Sequence, residues 1–500
     1  MATLNRNIFA NLAGGLWIAA LTVVITPLQV RLLGIEAYGL VGLITVLQIV
    51  LGAFDLGLSA TITQRISSDT SKGLSASTEL INSASTIYWG LAALMGGALW
   101  LAAPAIGSNW LNSSTLSSDT VLFALKTIAF YLALRWPIAF YSGLISGLQR
   151  MDVLNVIKAG AISVRLVGGV AVLLWQADLI IFLTWFAFSA GLELLAYIVT
   201  TIRLLPGFRW RPAISIPAIR EVWKFSAAMS LIAALSILLT QLDRLIISKL
   251  LGLEALGYYS LAYNTALALS LVQTAFNSAA LPAFSTAHGR NDQLELLKRY
   301  EKTSQLMGYV IALPCCVLIF FGHDILALWI SPASADGAAV PMALLSLGFF
   351  LNAMVSNAYV MAVARGKPQL PLRINLVGAV IYLPLLYGAV LWDGPGGAAG
   401  AWIALNIYYL ATLFPAVQRG LLEQPLWPWL RRNLFTFLLL GLGTFSCSSF
   451  LAHLSTASAL RWGALGAAVA VYAGTGFALL TPALRCELLS WRKRLFMFQQ

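Results

Sequence analysis

The sequence predicts an all-α polytopic membrane protein of about fourteen transmembrane helices, and three observations carry that prediction. Hydrophobic residues make up 59% of the 500 and charged residues only 10%, with a mean hydropathy of +0.83. Soluble domains carry roughly a quarter charged residues. The apolar runs are long and not alternating. They therefore fit helices, which satisfy their own backbone groups in lipid, rather than a β-barrel. The third observation is a repeat. Leu32-Leu33-Gly34-Ile35-Glu36-Ala37-Tyr38-Gly39 returns 218 residues on as Leu250-Leu251-Gly252-Leu253-Glu254-Ala255-Leu256-Gly257, with six of eight positions identical. Both copies fall between a first and a second long apolar run. A membrane chain built twice over is the architecture of a secondary transporter.

With roughly 20 apolar residues as the length of a span, the expected helices are 8–32, 38–62, 81–106, 120–147, 153–174 and 178–201. After a basic connector come 222–247, 255–284, 303–322, 338–363, 370–392 and 396–418, then a final pair at 432–453 and 461–483. This divides the chain into an N-terminal six-helix bundle (1–205), a cytoplasmic linker (206–221), a C-terminal six-helix bundle (222–420) and two added helices with a tail (421–500).

The positive charges fit this layout. With the N-terminus inside, about 23 of the 31 Lys and Arg fall in inner loops, and four (Arg31, Arg244, Lys249, Arg461) lie at outer edges. Such asymmetry places both termini in the cytoplasm. The net charge of +12 is then the ordinary excess of cytoplasmic loops, and nucleic acid is not an expected partner. The two bundles enter with the same orientation, as parallel repeats about an axis along the membrane normal. A second echo agrees: Gly147-Leu148-Gln149-Arg150 through Asn155 and Gly366-Lys367-Pro368-Gln369 through Asn375 join equivalent spans, with one residue inserted.

Enzyme signatures are absent from the sequence. No HExxH, GxSxG or GxxxxGK[ST] occurs, and the three histidines are far apart. The four cysteines form no CxxC and read as apolar filler. No cofactor is expected.

The functional signal lies in charges within spans. Each costs roughly 2.5–3.5 kcal/mol at a helix centre, so it is expected to face a cavity or a partner. The cations are Lys126 and Arg135 in the fourth span and Lys158 and Arg165 in the fifth, with Asn155 one turn before Lys158. Lys158 and Arg165 share a face, about 10 Å apart, whereas Lys126 and Arg135 point to roughly opposite sides. Arg135, beside Trp136-Pro137, is the better lumen candidate. Together they suit an anionic group such as a phosphate or pyrophosphate. The alternatives are pairing of Arg165 with Glu193 and snorkelling of Lys158 or Lys126 to an interface. The acids Asp55, Glu193 and Asp243 are candidates for coupling H⁺ or Na⁺, against local salt bridges or caps.

Ordered motifs run along about three-quarters of the chain: Asn11 through Trp17 with Pro27, Arg31, Leu33-Gly34 and Tyr38-Gly39; Asp55-Leu56-Gly57-Leu58; Gly147-Leu148-Gln149-Arg150 with Asn155; Gln241-Leu242-Asp243-Arg244 with Gly252 and Gly257-Tyr258-Tyr259; and Gly366-Lys367-Pro368. In these the chain resembles the lipid-linked oligosaccharide (O-antigen and related polysaccharide) flippases of the multidrug/oligosaccharidyl-lipid/polysaccharide exporter superfamily. The resemblance implies a V-shaped pair of six-helix bundles in the bacterial inner membrane, alternating between inward and outward openings. It implies as substrate an undecaprenyl-diphosphate-linked glycan, moved to the periplasmic leaflet for polysaccharide biosynthesis. Membrane lipids, a polysaccharide polymerase and chain-length proteins are the implied partners. Two other readings stand beside it. A multidrug antiporter of the same superfamily predicts acid-lined cation sites, yet the first span, Ile8 to Leu32, holds no Asp or Glu. A membrane polymerase or ligase predicts a sizeable outer loop, and outer connectors here are at most about 15 residues.

Overall fold

The computed structural model describes residues 2–52, 55, 58–69, 78–205, 214–215, 235, 237, 239–453 and 458–497. The seventh expected span, 222–247, lies half outside these residues, as does nearly all of the 206–221 linker. Every regular element among the described residues is helical. Eleven helices are long and apolar enough to cross a membrane, and a shorter apolar stretch, Trp17–Leu33, adds to them. They fall into two compact units, Met1–Gly257 and Tyr258–Gln500.

The first unit holds α1 (Ala2–Leu33), α2 (Ile35–Gly52), α3 (Leu58–Asp69), α4 (Thr78–Asn109), α5 (Ser118–Gly147), α6 (Met151–Trp175) and α7 (Leu179–Leu204). A helix over residues 239–250 (α8) and the start of α9 (Gly252–Ala266) complete it. Here α5 is central, packed on α3, α4 and α7, while α6 packs on α1 and α7. Tyr88, Phe140, Tyr141, Ile62 and Leu144 form part of its core. Within the expected second span, 38–62, residues 53–54 and 56–57 lie outside the described residues. The Asp55 carboxylate accepts from the backbone N–H (3.3 Å) and hydroxyl (2.6 Å) of Ser59 in the first turn of α3, the local bonding that Asp offers a helix N-terminus.

The repeated octapeptide has the same backbone in both copies. Gly34 (φ +83°) ends α1 and Gly252 (φ +86°) ends α8, the left-handed cap that glycine adopts without steric cost. The copies also meet. A Cβ on Gly39 would lie 2.1 Å from the carbonyl oxygen of Leu253, and one on Gly257 would lie 2.1 Å from that of Ile35. Gly39 and Gly257 are equivalent positions, as are Ile35 and Leu253, so the contact is reciprocal and depends on bare backbone at both glycines. The neighbouring connector between α4 and α5 is tied down from both copies. Glu36, 5% exposed, accepts from the backbone N–H of Ser114 (2.6 Å) and Thr115 (2.8 Å) and from both hydroxyls. From the second copy's side, Leu253 N–H donates to Asn112 O (3.0 Å) and Trp110 Nε1 donates to Ser248 Oγ (3.1 Å).

The second unit continues with α10 (Ala268–Gly289), α11 (Gln293–Trp329), α12 (Pro332–Ala364) and α13 (Gln369–Gln418). There follow α14 (Leu426–Trp429), a π-helical turn (Leu430–Phe435), α15 (Thr436–His453), α16 (Ser458–Leu479) and α17 (Pro482–Met497). The buried α12 is central, against α10, α11 and α13, while α15 and α16 pack on each other and on α11. α13 is not one rod. Tyr408 Oη donates to Ile374 O at 3.1 Å, where 34 residues of straight helix would separate them by about 51 Å. The chain reverses at Asp393 and Gly394 (φ +52°), between the expected spans 370–392 and 396–418.

Candidate functional site

Three helices of the first unit bring their charges to one carboxylate. Arg135 of α5 donates from Nη1 to Oε2 of Glu193 on α7 at 2.9 Å, and Arg165 of α6 donates from Nη2 to the same oxygen. Arg165 Nε also donates to Ser189 Oγ (3.3 Å), one turn before Glu193. The ring of Tyr131, one turn before Arg135 on α5, lies 5.7 and 5.6 Å from the two guanidinium carbons, within cation–π reach. Two cations on one anion leave a formal charge of +1. The arrangement satisfies the rule that deep charges are paired.

The two arginines differ in what they face. The side chains of Arg165 and Glu193 are 8% and 4% exposed, that of Arg135 17%. Arg135 borders a cavity of about 370 Å³ that is also lined by Asp55, Ser59, Gln48, Leu132 and Ala139. That volume lies at the low end of ligand pockets, roughly 300–1,000 Å³. Arg165 is the buried partner of Glu193, and Arg135 is the one of the two arginines that lines the cavity. Across the same cavity, Asp55 accepts from Ser59 and from the hydroxyl of Tyr88.

The other sequence candidates lie elsewhere. Lys126 sits over the ring of Trp100 at 5.6 Å, on the side of α5 opposite Arg135, as the nine-residue spacing requires. Lys158 is exposed on α6. Asn155 donates to Met151 O (2.8 Å) and packs against Gly14 of α1, so it serves a helix contact. Asp243 is buried, accepting from the backbone N–H of Arg244 (2.7 Å), while Arg244 donates to Gln241. Among the described residues no group of His, Cys, Asp and Glu has metal-binding geometry. Sequence reasoning missed Tyr131, Ser59 and Tyr88. Tyr131 was open to it, four residues before Arg135; Tyr88 was not, since only tertiary packing brings it to Asp55.

Comparison with known proteins bears on this arrangement. The family model described as "Polysaccharide biosynthesis protein" matches residues 4–288, more than half of the chain. The chain belongs to that family. A second model, MatE, matches residues 228–387. Over 377 residues the chain is 24% identical to "Putative O-antigen transporter" of Shigella flexneri, covering 74% of this chain and 87% of that protein. It is 25% identical over 307 residues to "Amylovoran biosynthesis protein AmsL" of Erwinia amylovora, covering 56% and 78%. The solved structure of lipid II flippase MurJ in an inward closed conformation shares the fold, with a TM-score of 0.68 at 13% identity, covering 94% of this chain and 99% of that one.

Proposed function

We propose that this family member is a secondary transporter that flips an undecaprenyl-diphosphate-linked oligosaccharide from the cytoplasmic to the periplasmic leaflet of the bacterial inner membrane by alternating access, both termini lying in the cytoplasm. Family membership, the polysaccharide-related names of its relatives and the inner-loop excess of cations support the reading. The observation that carries it is the position of Arg135. It is a guanidinium at a cavity wall within an apolar bundle, oriented by a carboxylate that a second, buried arginine already satisfies. A guanidinium so held offers forked N–H donors to phosphate oxygens. Lys158, exposed on α6, serves as an accessory cation for the approaching headgroup. Asp55 is the coupling acid for H⁺ or Na⁺, because it shares the cavity with Arg135. Glu193 is committed to two arginines, and Asp243 is not among the residues that line that cavity.

Replacing the natural flippase of a polysaccharide-producing cell by this chain tests the reading. Wild type is expected to restore surface polysaccharide, and Arg135→Gln to leave lipid-linked oligosaccharide accumulating inside; full export by Arg135→Gln contradicts the site. The MatE match over 228–387 favours one other reading, cation-drug antiport. Efflux of a cationic dye that depends on Asp55 would support it over flipping.

A further inference from the structure

The second unit carries uncharged polar residues at the positions equivalent to those of the Arg135 cavity wall. Two pairs of left-handed caps set the correspondence. Gly34 and Gly252 align the repeats 218 residues apart at the start of α2 and α9. Gln149 (φ +57°) and Gly366 (φ +70°) end α5 and α12 with the same bonds, Arg150 N–H to Ile145 O (3.2 Å) and Lys367 N–H to Ala362 O (2.9 Å), 217 residues apart. At these offsets Asp55 and Ser59 correspond to Gln273 and Asn277 of α10, and Arg135 and Ala139 to Asn352 and Ser356 of α12. All four first-unit residues line one cavity. Their four counterparts bond to one another: Gln273 Nε2 donates to Asn352 Oδ1 (3.1 Å), and Asn277 Nδ2 to Ser356 Oγ (3.1 Å). Asn352 in turn donates to Asn406 Oδ1 (2.9 Å).

These are not simple interhelical ties. The neighbouring Asn357 shows what such a tie looks like: fully buried, it donates to Ser304 Oγ (2.7 Å) and Tyr300 O (3.3 Å). Gln273, Asn277, Asn352 and Ser356 are all half-exposed. They continue an uncharged polar stripe on α10, where Ser270, Gln273, Thr274, Asn277, Ser278 and Ser285 fall within about 140° of the helix circumference. Half-exposed amides in an apolar span do not face hydrocarbon, where unmet polar groups are costly; they face a water-accessible space.

We infer that this amide set, Gln273, Asn277, Asn352 and Ser356, is a binding subsite for the sugar hydroxyls of the lipid-linked glycan. The inference rests on the flippase reading and deepens it. Sugar hydroxyls both donate and accept, and a primary amide offers two donors and an acceptor oxygen. Gln273 and Asn352 each spend one N–H on a neighbouring amide, so capacity remains for a ligand. An uncharged site also holds sugars without competing for the diphosphate.

The test is binding by the purified full chain of two probes, undecaprenyl diphosphate and the same lipid carrying one N-acetylhexosamine. Wild type should bind the sugar-bearing lipid more tightly. The near-isosteric double variant Gln273→Met/Asn352→Leu should lose about tenfold of that preference while it stays folded and its affinity for the bare diphosphate holds. Gln273→Met alone, at a half-exposed position, carries the test if the double variant does not fold. Preference retained in the folded variant, parallel loss of both affinities, or no preference in wild type would each overturn the subsite. Wild type binding neither lipid would overturn the flippase reading itself, and the subsite with it.

Discussion

The two units are built on matching helix caps but carry different chemistry at matching positions. In the first, Arg135 and Asp55 line one cavity, and Arg135 is paired through Glu193 with the buried Arg165. In the second, the positions equivalent to Asp55 and Arg135 are Gln273 and Asn352, joined amide to amide. The backbone devices are shared: glycine caps with φ near +85° and reciprocal glycine contacts in the repeated octapeptide. The two units thus share these glycine devices, where an added Cβ would be strained or would clash, and differ in the polar side chains at the positions of Asp55 and Arg135.

The largest effect should come from breaking the charge balance that only the first unit has. Glu193→Gln leaves two guanidinium groups together without their anion. It is expected to cost about 3–5 kcal/mol, read as a lowered melting temperature in detergent; untying the amides of the second unit by Asn352→Leu, at the position equivalent to Arg135, should cost much less. The two copies of the repeat sharpen the comparison. Glu36 is buried and bonded to Ser114 and Thr115, whereas its counterpart Glu254 is exposed. Chemical denaturation should therefore show Glu36→Gln destabilising by about 1.5–3 kcal/mol and Glu254→Gln staying within about 0.5 kcal/mol of wild type. The glycines should behave oppositely, as equals. Gly39→Ala and Gly257→Ala each force a methyl onto a carbonyl oxygen, at about 1–3 kcal/mol apiece. A large inequality between them would contradict the reciprocal contact. The smallest structural effect belongs to Lys158→Ala, exposed on α6, which should shift stability by no more than about 0.5 kcal/mol.

The frame was legible in the sequence because its rules are local. A repeated Leu-Leu-Gly reads as a helix stop, and long apolar runs separated by basic loops read as spans. The pairing of Arg165 with Glu193 was legible, since buried charge demands a partner; Arg135's share in it was not. That both arginines share one oxygen of Glu193 depends on the packing of α5 and α6 against α7, which no spacing encodes. Asp55 was legible as a lone acid in a span; its bond to Ser59, four residues on, was not sought there. Lys126 was grouped with the cationic pocket because hydropathy ignores the face on which Trp100 lies. The amides of α10 and α12 escaped notice because a search for intramembrane charge passes over neutral polar groups.

Affinity of the purified protein for undecaprenyl diphosphate, compared between wild type, Arg135→Lys and Arg135→Gln, tests the central claim most directly. The account predicts a loss of at least about tenfold for Arg135→Gln, as expected when a charge-assisted bidentate contact is removed. Arg135→Lys should fall between, because lysine keeps the charge and lacks the fork. Arg135→Gln protein that stays folded and binds the lipid as tightly as wild type would contradict it.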